Sequence, residues 1–238
     1  MKINFNYIKG ILVMALVVFL YGFAEQRNNT RKLKEVEVKF TQFENLYITE
    51  TAVNKLLIQN KLALAGEGKE TLDLNKVEAV LNRQPMIENA EVFLTLDGIL
   101  KTKIQQRRPI GRVLGNSTYY IDRLGDKMPL SSYYSARVPI LKGIGDESMK
   151  EVYPLLKYIS EDPFYSELIT QITRENGGVY KFELRKIDFS LLFGKVDRID
   201  EKMNNFKAFY KKALKDDKLN TYKMVDLQFG NQVVCTKK

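Results

Sequence analysis

The chain has no histidine and a single cysteine, Cys235, among its 238 residues. This removes the commonest general base, Ser-His-Asp and Cys-His nucleophile activation, and the common zinc donor sets. Carboxylates remain, and a pair of them can run glycosidase-type chemistry. With 29 acidic residues, adjacent pairs arise by chance, so Glu161-Asp162 and Asp216-Asp217 carry little weight. There is no glycine-rich phosphate loop, internal repeat or low-complexity tract. The sequence thus names no catalytic residue, no cofactor and no metal ligand, and points away from an enzyme. A lone cysteine rules out an internal disulfide but leaves an exported compartment open.

The formal net charge is +9. Such a balance suits nucleic acid, anionic lipid or an acidic wall polymer. The basic residues are dispersed without aromatic interleaving, so Arg107-Arg108 and Lys211-Lys212 read as solvated faces. The N-terminus gives a sharper signal. Residues 11–24 carry no charged side chain, and Lys2 and Lys9 precede them. Extended back to Tyr7, the run reaches eighteen residues, close to the ~20 that cross a bilayer. A cleaved signal peptide fits the same residues, with Gly22-Phe23-Ala24 as a small-x-small site. Either way the bulk of the chain is delivered across a membrane, which argues against nucleic acid. Arg31-Lys32-Leu33-Lys34 follows the run closely enough to meet headgroups.

Beyond a polar linker at 25–35, Val36, Val38 and Phe40 alternate with charged residues as a half-buried strand. Thr49 is the expected N-cap of a helix striped by Val53, Leu56, Leu57 and Asn60, and Gly66-Glu67-Gly68 breaks the chain after it. A second helix is expected from Asn75, with Glu78 in a capping box and Val77, Val80 and Leu81 as its stripe. Ala90, Val92, Leu94 and Leu96 then alternate up to Asp97-Gly98. Leu100, Thr102 and Ile104 alternate away from it, which predicts a hairpin on a two-residue type I′ turn. Residues 36–110 therefore read β-α-α-β-β. Their predicted core is Val38, Val53, Leu57, Val77, Leu81, Val92, Leu94, Leu100 and Ile104.

In the second half, strands are expected at Tyr119-Tyr120-Ile121, Val138-Pro139-Ile140-Leu141, on both sides of Asn176-Gly177-Gly178, and at Phe189–Phe193. A helix over 147–160 buries Val152, Leu155, Leu156 and Ile159, with Pro154 near its first turns or kinking it. A longer helix over 198–216 is striped by Ile199, Met203, Phe206, Tyr210, Ala213 and Leu214, with lysines on the remaining face. The closing segment, 222–234, alternates through Val225, Leu227 and Phe229, with Asn231 as a turn signal.

In order and spacing these elements resemble the bacterial division proteins FtsQ and DivIB. The resemblance is carried by Leu74…Val77…Leu81…Pro85…Ile87…Ala90-Glu91-Val92 and the tetrad Arg107-Arg108-Pro109-Ile110. It continues through Tyr120-Ile121-Asp122-x-x-Gly125, Val138-Pro139-Ile140-Leu141-x-Gly143 and Val225-Asp226-Leu227-Gln228-Phe229. It implies an α+β chain: a cytoplasmic tail (1–10), one transmembrane helix (11–24), the linker (25–35), a POTRA domain (36–110), and a β domain (111–238). The β domain is expected to be a mixed α/β unit with a largely antiparallel sheet. The resemblance also implies an uncleaved single-pass anchor in the cytoplasmic membrane, type II, at the division site. The role it implies is a non-enzymatic scaffold for FtsB-like and FtsL-like single-pass partners. The family often has arginine where this chain has Gln228.

Two other readings fit parts of the sequence: a POTRA-containing protein of envelope assembly or export, and a carboxylate-dependent hydrolase. The barrel strands expected of the first are not evident in residues 111–238. The predicted partner site is the last strand, read as an open sheet edge. It comprises Gln228, Phe229, Asn231, Gln232, Val233 and Val234, with Phe229 as aromatic anchor, Gln232 as a polar rim contact, and Val225 and Leu227 turned into the core.

Overall fold

A computed structural model describes residues 5–29, 33–41, 47–60, 72–115, 117–230 and 232–238. The chain divides into two compact units, 1–106 and 107–238. The tetrad 107–110, expected to close the first domain, therefore sits in the second.

The N-terminal helix α1, Phe5–Asn29, is longer than the apolar run in both directions. Its window Lys9–Gln26 has the length and mean hydropathy, 1.5, to cross a membrane. Neither proline nor a capping signal stops the helix at Ala24, so residues 25–29 of the expected linker are helical. Leu33, also assigned to the linker, is instead buried in the core of the first unit.

That unit is built from β1 (Glu35–Phe40), α2 (Glu50–Gln59), α3 (Leu74–Asn82), β2 (Ile87–Leu94) and β3 (Ile99–Gln106). The sheet order is β1-β3-β2, with β1 parallel to β3 and β2 antiparallel to it. Thr49 caps α2 as expected, its hydroxyl accepting from Ala52 N–H at 3.1 Å. Asn60 is not part of the stripe. It is the C-cap, and its amide donates to the Leu56 carbonyl. The break at 66–68 lies outside the described residues.

The start of α3 differs from expectation. Asp73 is the N-cap, accepting from Lys76 N–H, so Glu78 falls two positions too far along to close a capping box. Glu78 instead accepts from Val92 N–H at 2.8 Å, and Asn82 accepts from Ala90 N–H at 2.8 Å. Two side chains of one helix thus occupy donors on the outer edge of β2.

The hairpin forms, but on a different turn. Gly98 N–H donates to Thr95 O, Thr95 N–H donates to Ile99 O, and Gly98 has φ +89°. Asp97 is not among the positive-φ residues. This is a three-residue loop with glycine in the left-handed position, not a type I′ turn. Leu96 therefore leaves the strand and lies exposed in the loop. Leu94 is only half-buried at the margin of a core whose other expected members are buried.

The second unit holds a nine-stranded sheet in the order β12-β11-β10-β9-β8-β7-β4-β5-β6. Its strands are β4 (Pro109–Leu114), β5 (Tyr119–Asp122), β6 (Lys127–Met128), β7 (Ile140–Lys142), β8 (Ile169–Glu175), β9 (Val179–Leu184), β10 (Ser190–Gly194), β11 (Tyr222–Asp226) and β12 (Val234–Lys237). The sheet is mixed rather than largely antiparallel: β4–β7, β7–β8 and β10–β11 pair in parallel. Parallel neighbours need crossovers, and helices supply two of them. Helices α4 (Asp146–Glu161) and α5 (Pro163–Leu168) join β7 to β8, and α6 (Ile199–Lys215) joins β10 to β11. Pro154 lies in the interior of α4.

The aliphatic stripe of α4 and Met203 and Phe206 of α6 are buried in one core with the sheet. Leu214, placed in the α6 stripe, is exposed. Lys202, placed among the solvated lysines, is 3% exposed. Its ammonium donates to the Lys195 carbonyl and the Asp197 carboxylate and lies 4.7 Å from the Phe193 ring centroid.

The turn after β5 explains both Asp122 and the tetrad arginine. Asp122 is fully buried, and its Oδ1 accepts from the N–H groups of Leu124 and Asp126. Arg107 Nη1 lies 2.6 Å from Asp122 Oδ2 and 3.0 Å from Asp126 Oδ2. Arg107→Ala leaves a buried carboxylate with backbone donors alone. It should destabilise the second unit by about 2–4 kcal/mol, below the full cost of breaking a buried pair because those donors remain. Urea unfolding of the full chain in detergent measures this; an unchanged midpoint would show that the turn does not depend on the arginine.

Candidate partner-binding edge

The expected site is not one continuous strand. β11 ends at Asp226, a connection covers 227–233, and β12 returns antiparallel to β11, with Asp226 opposite Val234 and Tyr222 opposite Lys237. Val225 and Leu227 are buried as expected. Phe229 is 48% exposed, which excludes an ordinary core position. Gln228 and Gln232 are exposed, and Val233 is half-buried against the core. Val234 opens β12, and Asn231 lies outside the described residues.

The edge strand is therefore Val234–Lys237, and it contains Cys235, Thr236 and Lys237, none of which was in the predicted partner site. The signal was present. Val233, Val234 and Thr236 are β-branched, and they follow a Gly230-Asn231 turn signal that separates two strands rather than decorating one.

β12 is the terminal strand of the sheet order. Lys238 N–H donates inward to the Thr221 carbonyl at 3.0 Å. The N–H groups of Thr236 and Val234 share that side by the two-residue period of a strand. Those of Cys235 and Lys237 face away from β11. Cys235 packs its side chain on the core, and burial pushes its thiol upward from the ordinary range. Thr236 and Lys237 carry exposed side chains.

The connection bearing Phe229 is held at its base. Gln228 N–H donates to Asp226 Oδ1 at 2.8 Å, and the Gln228 carbonyl accepts from Arg198 Nη2 at 3.2 Å. Arg198 is the α6 N-cap and has φ +44°, a conformation that costs a β-carbon-bearing residue of order 1 kcal/mol. A Cβ on Gly194 would lie 2.7 Å from Gln228 Cγ. Glycine at 194 therefore lets the Gln228 side chain lie flat over the end of β10. Where the family resemblance leads one to expect an arginine, this chain has Gln228, and a guanidinium reaches that residue from α6 instead.

The acidic pairs noted in the sequence have local roles. Asp162 caps α5 through Phe164 N–H and binds Lys207 Nζ at 2.7 Å, and the lysine holds its carboxyl below the usual carboxylate range. Glu161 lies 4.0 Å from Lys157. Asp216 is the C-cap of α6. Among the described residues no three His, Cys, Asp or Glu groups converge as a metal site would need.

An apolar N-terminal helix, a β-α-α-β-β unit and a mixed-sheet unit define the architecture of the described residues. Residues 32–105 match the POTRA-like domain. Residues 108–236, over half of the chain, match the family described as FtsQ/DivIB, C-terminal related, and the chain belongs to the FtsQ/DivIB family. Comparison with curated proteins returned no significant match. Family membership points to protein–protein interaction in the division machinery.

Proposed function

We propose that this chain is a non-enzymatic scaffold of the bacterial division septum. It is held in the cytoplasmic membrane by α1 as an uncleaved, single-pass type II anchor, with both folded units outside the cytoplasm. It binds and recruits FtsB-like and FtsL-like single-pass division proteins. The observation that carries the reading is β12. It ends a nine-stranded sheet with the Cys235 and Lys237 N–H groups turned outward, beside a half-exposed phenylalanine. Such an edge is a template for an added strand. An extended segment of the FtsB-like partner pairs with Val234–Lys237, Phe229 anchors it, and Gln228, Gln232 and Val233, with Asn231 from the sequence, form the rim.

The edge geometry makes Lys237 the position where a proline should be decisive. Lys237→Pro removes an outward donor while sparing the inward ladder. It should weaken capture of the FtsB-like partner about tenfold. Phe229→Ala should weaken it by a similar factor, since an aromatic anchor carries more than 1 kcal/mol at an interface. Thr236→Ala, which leaves the backbone intact, should change capture little. Capture by the full-length chain in detergent, with circular dichroism as the check on folding, measures all three. Equal capture by folded Lys237→Pro, Phe229→Ala and wild type would place the site elsewhere.

A further inference from the structure

We infer that the β2–β3 hairpin tip of the first unit rests on the membrane that its own chain spans, with Leu96 seated in the lipid interface. The inference depends on α1 remaining as the anchor. Lys34 N–H donates to the Gly98 carbonyl in the hairpin loop at 2.9 Å, and Glu35 opens β1 opposite Ile99 at the start of β3. Because β1 and β3 are parallel, the chain enters the sheet at the hairpin tip. α1 ends at Asn29, so four residues, five Cα–Cα steps, separate it from that contact, a reach of roughly 17 Å fully extended. The last turn of α1 beyond Gln26 adds only about 5 Å. The tip is thus tethered to the headgroup side of the bilayer, while the far end of β3, at Gln106, is a further strand length away.

The tip also has the chemistry of an interfacial contact. Leu96 is 80% exposed, the highest value among the exposed large hydrophobic residues described, above the described side chains of α1. Phe93, 48% exposed, precedes it on the outer face of the sheet. Lys34 stands at the same end and supplies positive charge that anionic headgroups attract. An apolar side chain at a loop apex, near a lysine and tied close to a membrane span, suits the boundary between acyl chains and headgroups.

The chain contains no tryptophan, so one introduced indole reports without background. The full-length Leu96→Trp and Asn89→Trp variants are reconstituted singly, without other protein, in nanodiscs of mixed anionic and zwitterionic phospholipid. Asn89 is exposed on β2, five residues from Leu94 toward the far end of the same hairpin. The expected result is blue-shifted emission from Leu96→Trp, with strong quenching by lipids brominated near the carbonyl. Asn89→Trp should emit as in water and respond only to aqueous acrylamide. If both variants behave as Asn89→Trp is expected to, the inference is overturned. A shift in Leu96→Trp that appears only when a division partner is added overturns it in favour of a protein contact. Intact mass and co-elution with the nanodisc are measured in parallel. A chain beginning at Glu25, or one that does not co-elute, overturns the anchor and the inference together. A co-eluting intact chain with an unquenched indole overturns the inference alone.

Discussion

Phe206→Ala is expected to cost the second unit about 3–5 kcal/mol, the loss typical of a phenylalanine truncated in a closed core. Phe206 is fully buried on α6, with its ring centroid 6.4 Å from that of Phe164 and 6.1 Å from that of Tyr210. Three elements meet there: α6, the α5 segment, and a sheet whose Phe182 and Phe193 rings stack 5.3 Å apart. None of these has freedom to collapse into the space, because α6 is fixed at its start by the buried Lys202 contacts and α5 by the Asp162–Lys207 pair. For a unit of this size the loss should lower its unfolding midpoint by about 10 °C or more. Calorimetry of the full chain in detergent should show the shift in the second unit's transition while the first unit's stays in place, since each unit has its own core. A midpoint that does not move would mean that α6 is not packed as described.

In the first unit, Leu100→Ala should be the costly change, at about 2–5 kcal/mol, and Leu94→Ala the mild one, at about 1–2 kcal/mol. The two residues face each other across the hairpin in register. Leu100 is fully buried on the central strand, and Leu94 is half-buried on the edge strand. Their alternation in sequence is the same, so periodicity alone gives them equal weight. Chemical unfolding of each variant separates them, and equal losses would put β2 deeper in the unit than its burial indicates.

What could be read beforehand was whatever is encoded within a few consecutive residues. The Thr49 cap, the break at Asp97-Gly98, the Asn176-Gly177-Gly178 hairpin and the aromatic stripe of α6 all depend on neighbours in sequence, and all are present. What could not be read depends on partners far along the chain. Glu78 is a good capping residue by local rules, but its carboxylate goes to Val92, fourteen positions on. Lys202 looks like every other lysine of α6 until the β10–α6 turn supplies a carbonyl and a carboxylate to hold it. The proposed partner edge was half legible. Burial of Val225 and Leu227 follows from alternation, but exposure of Phe229 and the strand that forms the sheet edge were identified only by the end of β11 at Asp226 and the register between β11 and β12. The parallel pairings, too, are set by which strands the helical crossovers bring together, which no short window contains.

The side chains of α3 that occupy the outer donors of β2 bear on how the molecule behaves in a crowded envelope. A stranger's extended segment arriving at β2 would find the Ala90 and Val92 N–H groups already engaged, and would have to dislodge a carboxylate and an amide held by a helix. The toll is enthalpic and immediate, whereas the outward N–H groups of β12, in the second unit, are proposed to meet a partner without it. One sheet border is thereby guarded against casual pairing, including pairing with another copy of the chain. A double substitution Glu78→Ala, Asn82→Ala would unlock that guarded border without touching the core.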